Sequence, residues 1–283
     1  MKAINYEDIM MQRAMDIFAE EGKGEKIMNG DGILKDNKTL VQNKMSWDFI
    51  ADEWFGSTAL PTYGPTLPKE DTLNLFDSLD NKKVLEIGCG SGNSLLYTAG
   101  KGAKELWGLD LSSKQIENAR KLLWENNINA NLFVSPMEDN PGIPENYFDY
   151  VYSIYAFGWT TDLKQSIELV HKYLKKSGVF IFSWDNPLMQ CIKAEDNKYT
   201  ICRSYLDEAN IDFAKCNQAM KVKNWKLSSY INELASAGFK IEKLIEETDE
   251  EILNQEHEFT QKYYSKHKAK LINTSFIIKA IKL

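Results

Sequence analysis

The sequence predicts an α/β protein whose mostly parallel sheet is covered by helices on both faces. Short apolar segments typical of strands alternate with segments whose apolar residues recur every three to four positions. An apolar strand also enters a glycine-rich turn at residues 84–93, and the next strand ends in Asp110. The chain has 283 residues, of which 43% are hydrophobic, so it is long enough for one sizeable α/β domain with additions.

The predicted elements follow in order from residue 83. Strands are predicted at residues 83–87, 104–110, 131–135, 148–154, 178–184, 239–246 and 274–281. The first strand leads into a helix over 92–101. Ser112 is expected to cap the second helix, with Gln115 reaching back in a capping box. Thr161 is expected to cap the third helix, and the fourth begins at Ser228 and ends at Gly238.

Residues 1–45 form a predicted N-terminal helical extension outside this core. A helix is expected from Asn5 to Glu21, and three interpretations stay open: packing on the domain surface, a lid, or a dimer contact. A further short helix is predicted over 46–54, with Trp47 and Trp54 on one face. That face belongs either to the core or to a lid.

The glycine turn indicates the kind of ligand. Gly88 and Gly90 allow backbone to approach a ligand closely, and Asp110 is placed to accept hydrogen bonds from ribose hydroxyls. The spacing is G-x-G-x-G, and Asn93 stands where a dinucleotide site has its third glycine. Glu86 would repel a pyrophosphate and favours a ligand with a cationic head, such as the ammonium of S-adenosylmethionine (SAM).

At these residues the chain resembles the class I, seven-strand, Rossmann-like SAM-dependent methyltransferases of the small-molecule type. The matching segments, spread over residues 46–283, are 85–92, Asp110, 148–151, 174–178 and 237–239. The resemblance implies a three-layer fold whose antiparallel last strand inserts beside strand six. It also implies an aromatic lid segment within residues 46–80 and a substrate-recognition insertion at 186–224.

The candidate cofactor residues lie at the predicted carboxyl ends of the strands. Gly88 and Gly90 are expected beside the methionine part, and Asn93 on its carboxylate near a helix N-terminus. Leu111 is expected on the adenine face. The remaining candidates are Tyr63 on a turn, Ser153 beside the methionine part, Met137 through its amide and Glu138 on the adenine amino group. Pro136 stands where the family commonly has Asp, so this role moves to Glu138, for which a solvated carboxylate is the alternative.

The expected chemistry is an in-line displacement at the sulfonium methyl, in which positioning supplies much of the rate. Aromatic rings suit a sulfonium through cation–π attraction. A hydroxyl acceptor needs a general base, whereas a neutral amine does not. The candidate catalytic residues are Tyr155, Asp185 and Tyr205. The three histidines show no metal-binding spacing, so no metal is expected.

Composition limits the partners and the compartment. The net charge is −7, and only three arginines occur, so no basic groove for nucleic acid is expected. No apolar run approaches a membrane span, and the N-terminus is too polar for a signal peptide. Four cysteines without C-x-x-C spacing favour free thiols in the cytoplasm. We expect a monomer or a homodimer.

The predicted function is transfer of the SAM methyl group to an oxygen or nitrogen of a small metabolite, with release of S-adenosylhomocysteine (SAH). Three alternatives stay open. The first is methylation of protein or RNA, and the second is a SAM-binding sensor without turnover. The third is a nicotinamide oxidoreductase, which the glycine spacing disfavours.

Overall fold

The computed structural model describes residues 37–283. The strands of this part are β1 (Lys83–Ile87), β2 (Glu105–Asp110), β3 (Asn131–Val134), β4 (Phe148–Ile154), β5 (Leu174–Asp185), β6 (Ile192–Glu195), β7 (Lys198–Ile201), β8 (Asn210–Lys215), β9 (Gln218–Lys223), β10 (Phe239–Ile245) and β11 (Ser275–Lys282). Its α-helices are α1 (Asn37–Ile50), α2 (Glu70–Leu73), α3 (Asn93–Gly100), α4 (Ser113–Glu125), α5 (Leu163–Tyr173), α6 (Leu227–Ser236), α7 (Glu250–Leu253) and α8 (Lys266–Ala269).

Seven of the described strands form one sheet in the order β10-β11-β5-β4-β1-β2-β3. Strands β1 to β5 pair in parallel, whereas β11 is antiparallel to both β5 and β10. The predicted fold class is confirmed, including the antiparallel last strand. Strands β1 and β4 are neighbours although β2 and β3 separate them in sequence. This is the switch point at which ligands bind in open α/β sheets.

The sheet is buried on both faces, as the alternation of strands and helices predicts. Val84 and Leu85 are both fully buried but belong to different apolar clusters, because successive strand side chains point to opposite faces. Burial of this kind explains why the parallel strands are nearly continuous apolar runs. The carboxyl ends of the strands are therefore held by two packed layers of helices.

Residues 186–224 form a one-turn 3-10 helix (Pro187–Cys191) and two antiparallel hairpins, β6–β7 and β8–β9. Helix α1 packs on the second hairpin. Asn43 donates from its side chain to the Lys221 carbonyl at 2.7 Å, and the Ser46 hydroxyl donates to the Ala219 carbonyl at 2.6 Å. The two hairpins were not predicted, since their strands are only four to six residues long and contain many polar residues.

Several predicted helix ends move by a few residues. Helix α1 runs through the predicted boundary between residues 45 and 46 and ends at Ile50, and turns follow to Gly56. The cap of α5 is Asp162, whose carboxylate accepts from the Gln165 amide. Thr161 does not cap this helix because its amide and hydroxyl donate to Glu138. The helix expected from Ser228 begins at Leu227.

The cap predicted at Ser112 is confirmed: its hydroxyl accepts from the Gln115 amide at 3.1 Å. The returning bond of the capping box is not formed: the Ser112 amide donates to Asp110 instead, and the Gln115 side-chain oxygen is buried with no partner in the described part of the chain. The helix expected over residues 5–21 lies outside the described residues. Within residues 37–283, no helix combines the length and apolarity that crossing a membrane requires.

Candidate functional site

A cavity of about 530 Å³ opens at the carboxyl ends of the central strands. Its walls come from the β1 and β4 ends, from α1 and from the β8–β9 hairpin, which are far apart in sequence. This volume lies within the usual range for small-molecule sites. One end is built around the glycine turn after β1, and the other around Asp185 at the end of β5.

The glycine turn keeps the backbone close to its neighbours. Gly88 has a φ of +69°, and a Cβ there would lie 2.4 Å from the Ala156 Cβ. Gly90 has a φ of +48°, and its amide donates to Asp110 Oδ2 at 2.9 Å. Both positions favour glycine, since other residues rarely adopt this backbone conformation. The turn therefore presents backbone rather than side chains to the cavity.

Asp110 holds the start of the next helix as well as the turn. Its Oδ1 accepts from the Ser112 amide at 2.8 Å, and its Oδ2 accepts from the Gly90 amide. Burial raises the pKa of Asp110 to about 6, although these two backbone bonds oppose the rise. Each carboxylate oxygen has a further acceptor site, so the geometry fits a pair of ribose hydroxyls.

Glu86 is a buried carboxylate at the floor of the cavity. It is 2% exposed, and its Oε2 has no hydrogen-bond partner among residues 37–283. Burial raises its pKa well above the usual range. A buried carboxylate oxygen without a donor is costly unless a ligand supplies one. The donor that best matches it is a cationic one, such as the ammonium of SAM, so the residues present fit that cofactor.

Asn93 begins α3 beside the same turn and lines the cavity. Its side-chain oxygen accepts from the Ser91 hydroxyl at 3.2 Å, which leaves its amide as a donor beside the free N-H groups of the helix start. The Ser91 hydroxyl in turn accepts from the Gly56 amide at 3.0 Å. These contacts orient Asn93 as a carboxylate site requires.

Leu111, Met137 and Glu138, the residues predicted to hold the adenine, all line the cavity. Glu138 is 1% exposed, so the alternative of a solvated carboxylate is wrong. Its Oε1 accepts from the Thr161 amide at 2.6 Å and from the Thr160 hydroxyl at 3.0 Å. Glu138 therefore fixes the loop before α5, and this is why Thr161 does not cap that helix.

Asp185 is the centre of a tyrosine cluster at the other end of the cavity. Its Oδ1 accepts from the hydroxyls of Tyr155 at 2.6 Å and Tyr264 at 2.8 Å, and its Oδ2 from that of Tyr263 at 3.2 Å. Burial raises the pKa of Asp185, and the three hydroxyls oppose that rise. Burial also raises the pKa of Tyr155 well above its usual range. Tyr155 therefore stays protonated and donates a hydrogen bond to Asp185, so of the two side chains Asp185 is the better base.

Tyr155 is held in an uncommon backbone conformation, with a φ of +56°. Its amide donates to the Ser183 carbonyl at 3.2 Å, and its hydroxyl also contacts the Ser275 hydroxyl at 2.5 Å. Non-glycine residues with positive φ cost about 1–3 kcal/mol and cluster at functional sites. The surrounding strands thus fix the Tyr155 ring at the cavity wall.

Tryptophan rings from separate segments line the space near Asp185. The ring centroid of Trp47 lies 6.4 Å from that of Trp54 and 5.3 Å from that of Trp159. Trp159 in turn lies 5.9 Å from Trp184. The predicted apolar face of residues 46–54 therefore contributes two rings to the cavity, although the helix stops before Trp54.

Three of the predicted site residues lie away from the cavity. Tyr63 is fully buried, and its hydroxyl donates to Glu70 at 2.6 Å, so the predicted contact with the cofactor is absent. Ser153 is fully buried within the sheet, and its hydroxyl donates to the Ile87 carbonyl at 2.7 Å. Tyr205 accepts from the Leu227 amide at 3.3 Å. Tyr63 and Tyr205 are placed by polar partners that no sequence pattern revealed.

The cavity is also lined by Tyr263, Tyr264 and Lys215, which were not predicted as site residues from the sequence. The tyrosine pair lies in a polar segment before β11, and the only available indication was two adjacent aromatic residues in such a segment. Lys215 ends β8, one of the strands that was not predicted. Its ammonium lies 3.6 Å from the ring centroid of Trp54.

The fold and the cavity define a SAM-binding α/β enzyme, and comparisons with known proteins agree. Residues 84–178 match the family described as "Methyltransferase domain". A putative protein N5-glutamine methyltransferase of Methanocaldococcus jannaschii is 32% identical over 40% of this chain and 68% of its own length. The phosphoethanolamine N-methyltransferase of Plasmodium falciparum is 25% identical over 78% of this chain and 84% of its own length.

Among solved structures, a putative SAM-dependent methyltransferase from Listeria monocytogenes superposes with a TM-score of 0.62 at 22% identity. The match covers 76% of this chain and 96% of that one, which supports the fold. The chain belongs to the class I SAM-dependent methyltransferases. It is an enzyme of the methyltransferase type, and its cofactor is SAM.

Proposed function

We propose that this enzyme transfers the SAM methyl group to an oxygen or nitrogen of a small metabolite. The observation that carries the proposal is a single cavity that extends from the glycine turn to the buried Asp185 cluster. Tryptophan and tyrosine rings wall the second end, which suits a compact, partly apolar acceptor. The Plasmodium relative, named for a small acceptor, supports the same reading.

The cofactor residues have separable roles in this proposal. Asp110 accepts hydrogen bonds from the ribose, and Glu86 supplies its unpartnered oxygen to the ammonium. Asn93 donates to the carboxylate, while Leu111 and the Met137 amide contact the adenine. Glu138 supports this end through the Thr160–Thr161 loop and accepts from the adenine amino group.

When bound, SAM supplies a methyl group on a positively charged sulfur. The aromatic walls stabilise that charge and exclude water, and Tyr155 and Trp184, 5.6 Å apart between centroids, form part of them. Asp185, held by three tyrosine hydroxyls, accepts the proton that a hydroxyl acceptor must lose. A neutral amine needs no such step before attack.

We also propose that the segments outside the sheet recognise the acceptor. Residues 46–80 act as an aromatic lid segment through Trp47 and Trp54, and the insertion 186–224 contributes Phe213 and Lys215 to the cavity. Residues 1–45 are an extension of the methyltransferase domain 46–283. The four free cysteines fit a cytoplasmic protein, acting as a monomer or homodimer.

The test uses SAM labelled on the transferred methyl, incubated with the purified protein and a lysate of its source organism. Label in a new small molecule, absent with Asp110→Ala, supports the proposal. Label in protein or RNA supports methylation of macromolecules, a second candidate that the protein-methylating name of the Methanocaldococcus relative favours. SAM binding without any label supports a sensor without turnover.

A further inference from the structure

Lys215 contributes an ammonium group to the wall of the cavity. It ends β8, immediately before a tight turn at Cys216 and Asn217, which both have positive φ. Its Nζ lies 3.6 Å from the ring centroid of Trp54 and 4.9 Å from that of Trp47. Within residues 37–283, no carboxylate lies within ion-pair distance of this Nζ and no acceptor forms a hydrogen bond with it.

The carboxylates that line the cavity have other partners or another place in the proposed function. Asp110 accepts from two backbone amides, Glu138 from the Thr161 amide, and Asp185 from three tyrosine hydroxyls. The unpartnered oxygen of Glu86 lies beside the glycine turn, where we propose the cofactor ammonium. Lys215 is thus the one ammonium among the described lining residues, and its charge is unpaired.

An ammonium against aromatic rings is incompletely compensated. Stacking on Trp54 recovers part of the lost hydration, but it supplies no hydrogen-bond acceptor for the three N-H groups. Burial accordingly lowers the pKa of Lys215 to about 8, although Asp185 opposes the fall. A ligand anion within hydrogen-bond distance of Nζ would supply the missing hydrogen-bond acceptor and stabilise the charged form of Lys215.

We propose that the methyl acceptor carries an anionic group, a carboxylate or a phosphate, that pairs with Lys215. This inference rests on the proposed function and names the chemical class of its substrate. The carboxylate of the cofactor is the other anion that enters the cavity, and Asn93 at the start of α3 already accounts for it. The anion at Lys215 therefore belongs to the acceptor.

The first experiment measures binding without turnover, by calorimetry on protein saturated with SAH at pH 7. Three probes share a phenyl ring on a three-carbon chain and differ in the terminal group, which is anionic, neutral or cationic: 3-phenylpropanoate, 3-phenylpropanamide and 3-phenylpropylamine. We expect the carboxylate to bind at least tenfold more tightly than the amide. Lys215→Met should abolish that difference by weakening the carboxylate alone, and Lys215→Arg should retain most of it.

Lys223→Met is the matched control. Lys223 ends the partner strand β9, and its Nζ lies 3.8 Å from the ring centroid of Trp225, but it does not line the cavity. This variant removes the same charge and a similar stacked pair from the same hairpin. We expect the affinity of each probe to be unchanged in it.

The proposal would be overturned if the carboxylate and the amide bind with equal affinity, or if neither binds detectably. A preference for the amine would also overturn it. So would a tenfold loss of SAH affinity in Lys215→Met. The last result would assign Lys215 to the cofactor carboxylate.

A second experiment passes the labelled product of the lysate reaction over an anion exchanger. Retention supports the proposal, and a product that flows through contradicts it. Complete absence of label contradicts the proposed function instead, and the binding arm still decides the role of Lys215.

Discussion

The two ends of the cavity are built in different ways. The end that we propose for the cofactor, the cofactor end, uses residues between Glu86 and Glu138, and backbone amides of the turns after β1 and β2 provide much of its structure. The end that we propose for the acceptor, the acceptor end, gathers side chains from α1, β5, the β8–β9 hairpin and residues 263–264. The geometry of a site made from successive strand ends is constrained by the sheet. A site made from side chains of several separate segments can change those residues with the substrate without changing the sheet.

The largest effect that separates the two ends is expected for Asp110→Ala. Loss of two charge-assisted hydrogen bonds to the ribose should weaken SAM binding by about 100- to 1,000-fold, on the order of 3–4 kcal/mol. Calorimetric titration with SAM measures the loss, and thermal unfolding checks that the turn at Gly90 and Ser112 still folds. An affinity within threefold of the parent would remove Asp110 from the ribose site.

Asp185→Asn tests the acceptor end. We expect methyl transfer to fall by about 100-fold, because the amide cannot take up a proton and fits three tyrosine donors poorly. SAM affinity should stay within twofold, since Asp185 belongs to the other end. Single-turnover transfer and SAM titration are measured on the same preparation. A parallel loss of SAM affinity would mean that the two ends are not separable.

The pH dependence of SAM binding tests the cofactor end alone. The pKa of Asp110 is raised to about 6, so its ionised form, which we propose accepts from both ribose hydroxyls, predominates above that pH. We expect SAM affinity to fall by about tenfold between pH 7 and pH 5, because about one tenth of the carboxyl stays ionised one unit below its pKa. Affinity is measured by equilibrium dialysis across this range. Asp110→Asn should lack the transition at pH 6, and an identical pH profile in that variant would assign it to another group.

Tyr155→Phe should have the smallest effect. Removal of one of three hydroxyl donors to Asp185 is expected to slow transfer about three- to tenfold while SAM binding is unchanged. Single-turnover transfer of labelled methyl measures the rate. Tyr150→Phe, in the core on the strand that ends just before Tyr155, is the control. Unchanged turnover in Tyr155→Phe would remove Tyr155 from the catalytic group.

The sequence predicted the sheet and most of the cofactor end because local patterns determine both. Alternating strands and helices predicted the seven strands, and the spacing from Gly88 to Asp110 predicted which loops meet at the switch point. Helix ends were less certain, since Thr161 bonds to Glu138, a contact between distant residues that propensity does not contain.

The acceptor end was only partly predictable. Tyr155 and Asp185 were found because they end strands, but Tyr263 and Tyr264 reach Asp185 from a segment nearly 80 residues further along the chain. Tyr63 was placed wrongly because its hydroxyl pairs with Glu70, a buried carboxylate that also accepts from the Phe76 amide. Contacts over such distances depend on tertiary packing rather than on any motif.

Asp48 of α1 ties the two ends of the cavity together. Its Oδ1 accepts from the Ser112 hydroxyl at 2.6 Å and from the Lys114 amide at 3.0 Å, at the positively polarised start of α4. The adjoining Trp47 belongs to the aromatic wall. A movement of α1 that admits an acceptor would therefore release the helix that follows Asp110. Binding of the acceptor and of SAM is then thermodynamically coupled. By linkage, the factor by which the acceptor changes the affinity for SAM equals the factor by which SAM changes the affinity for the acceptor.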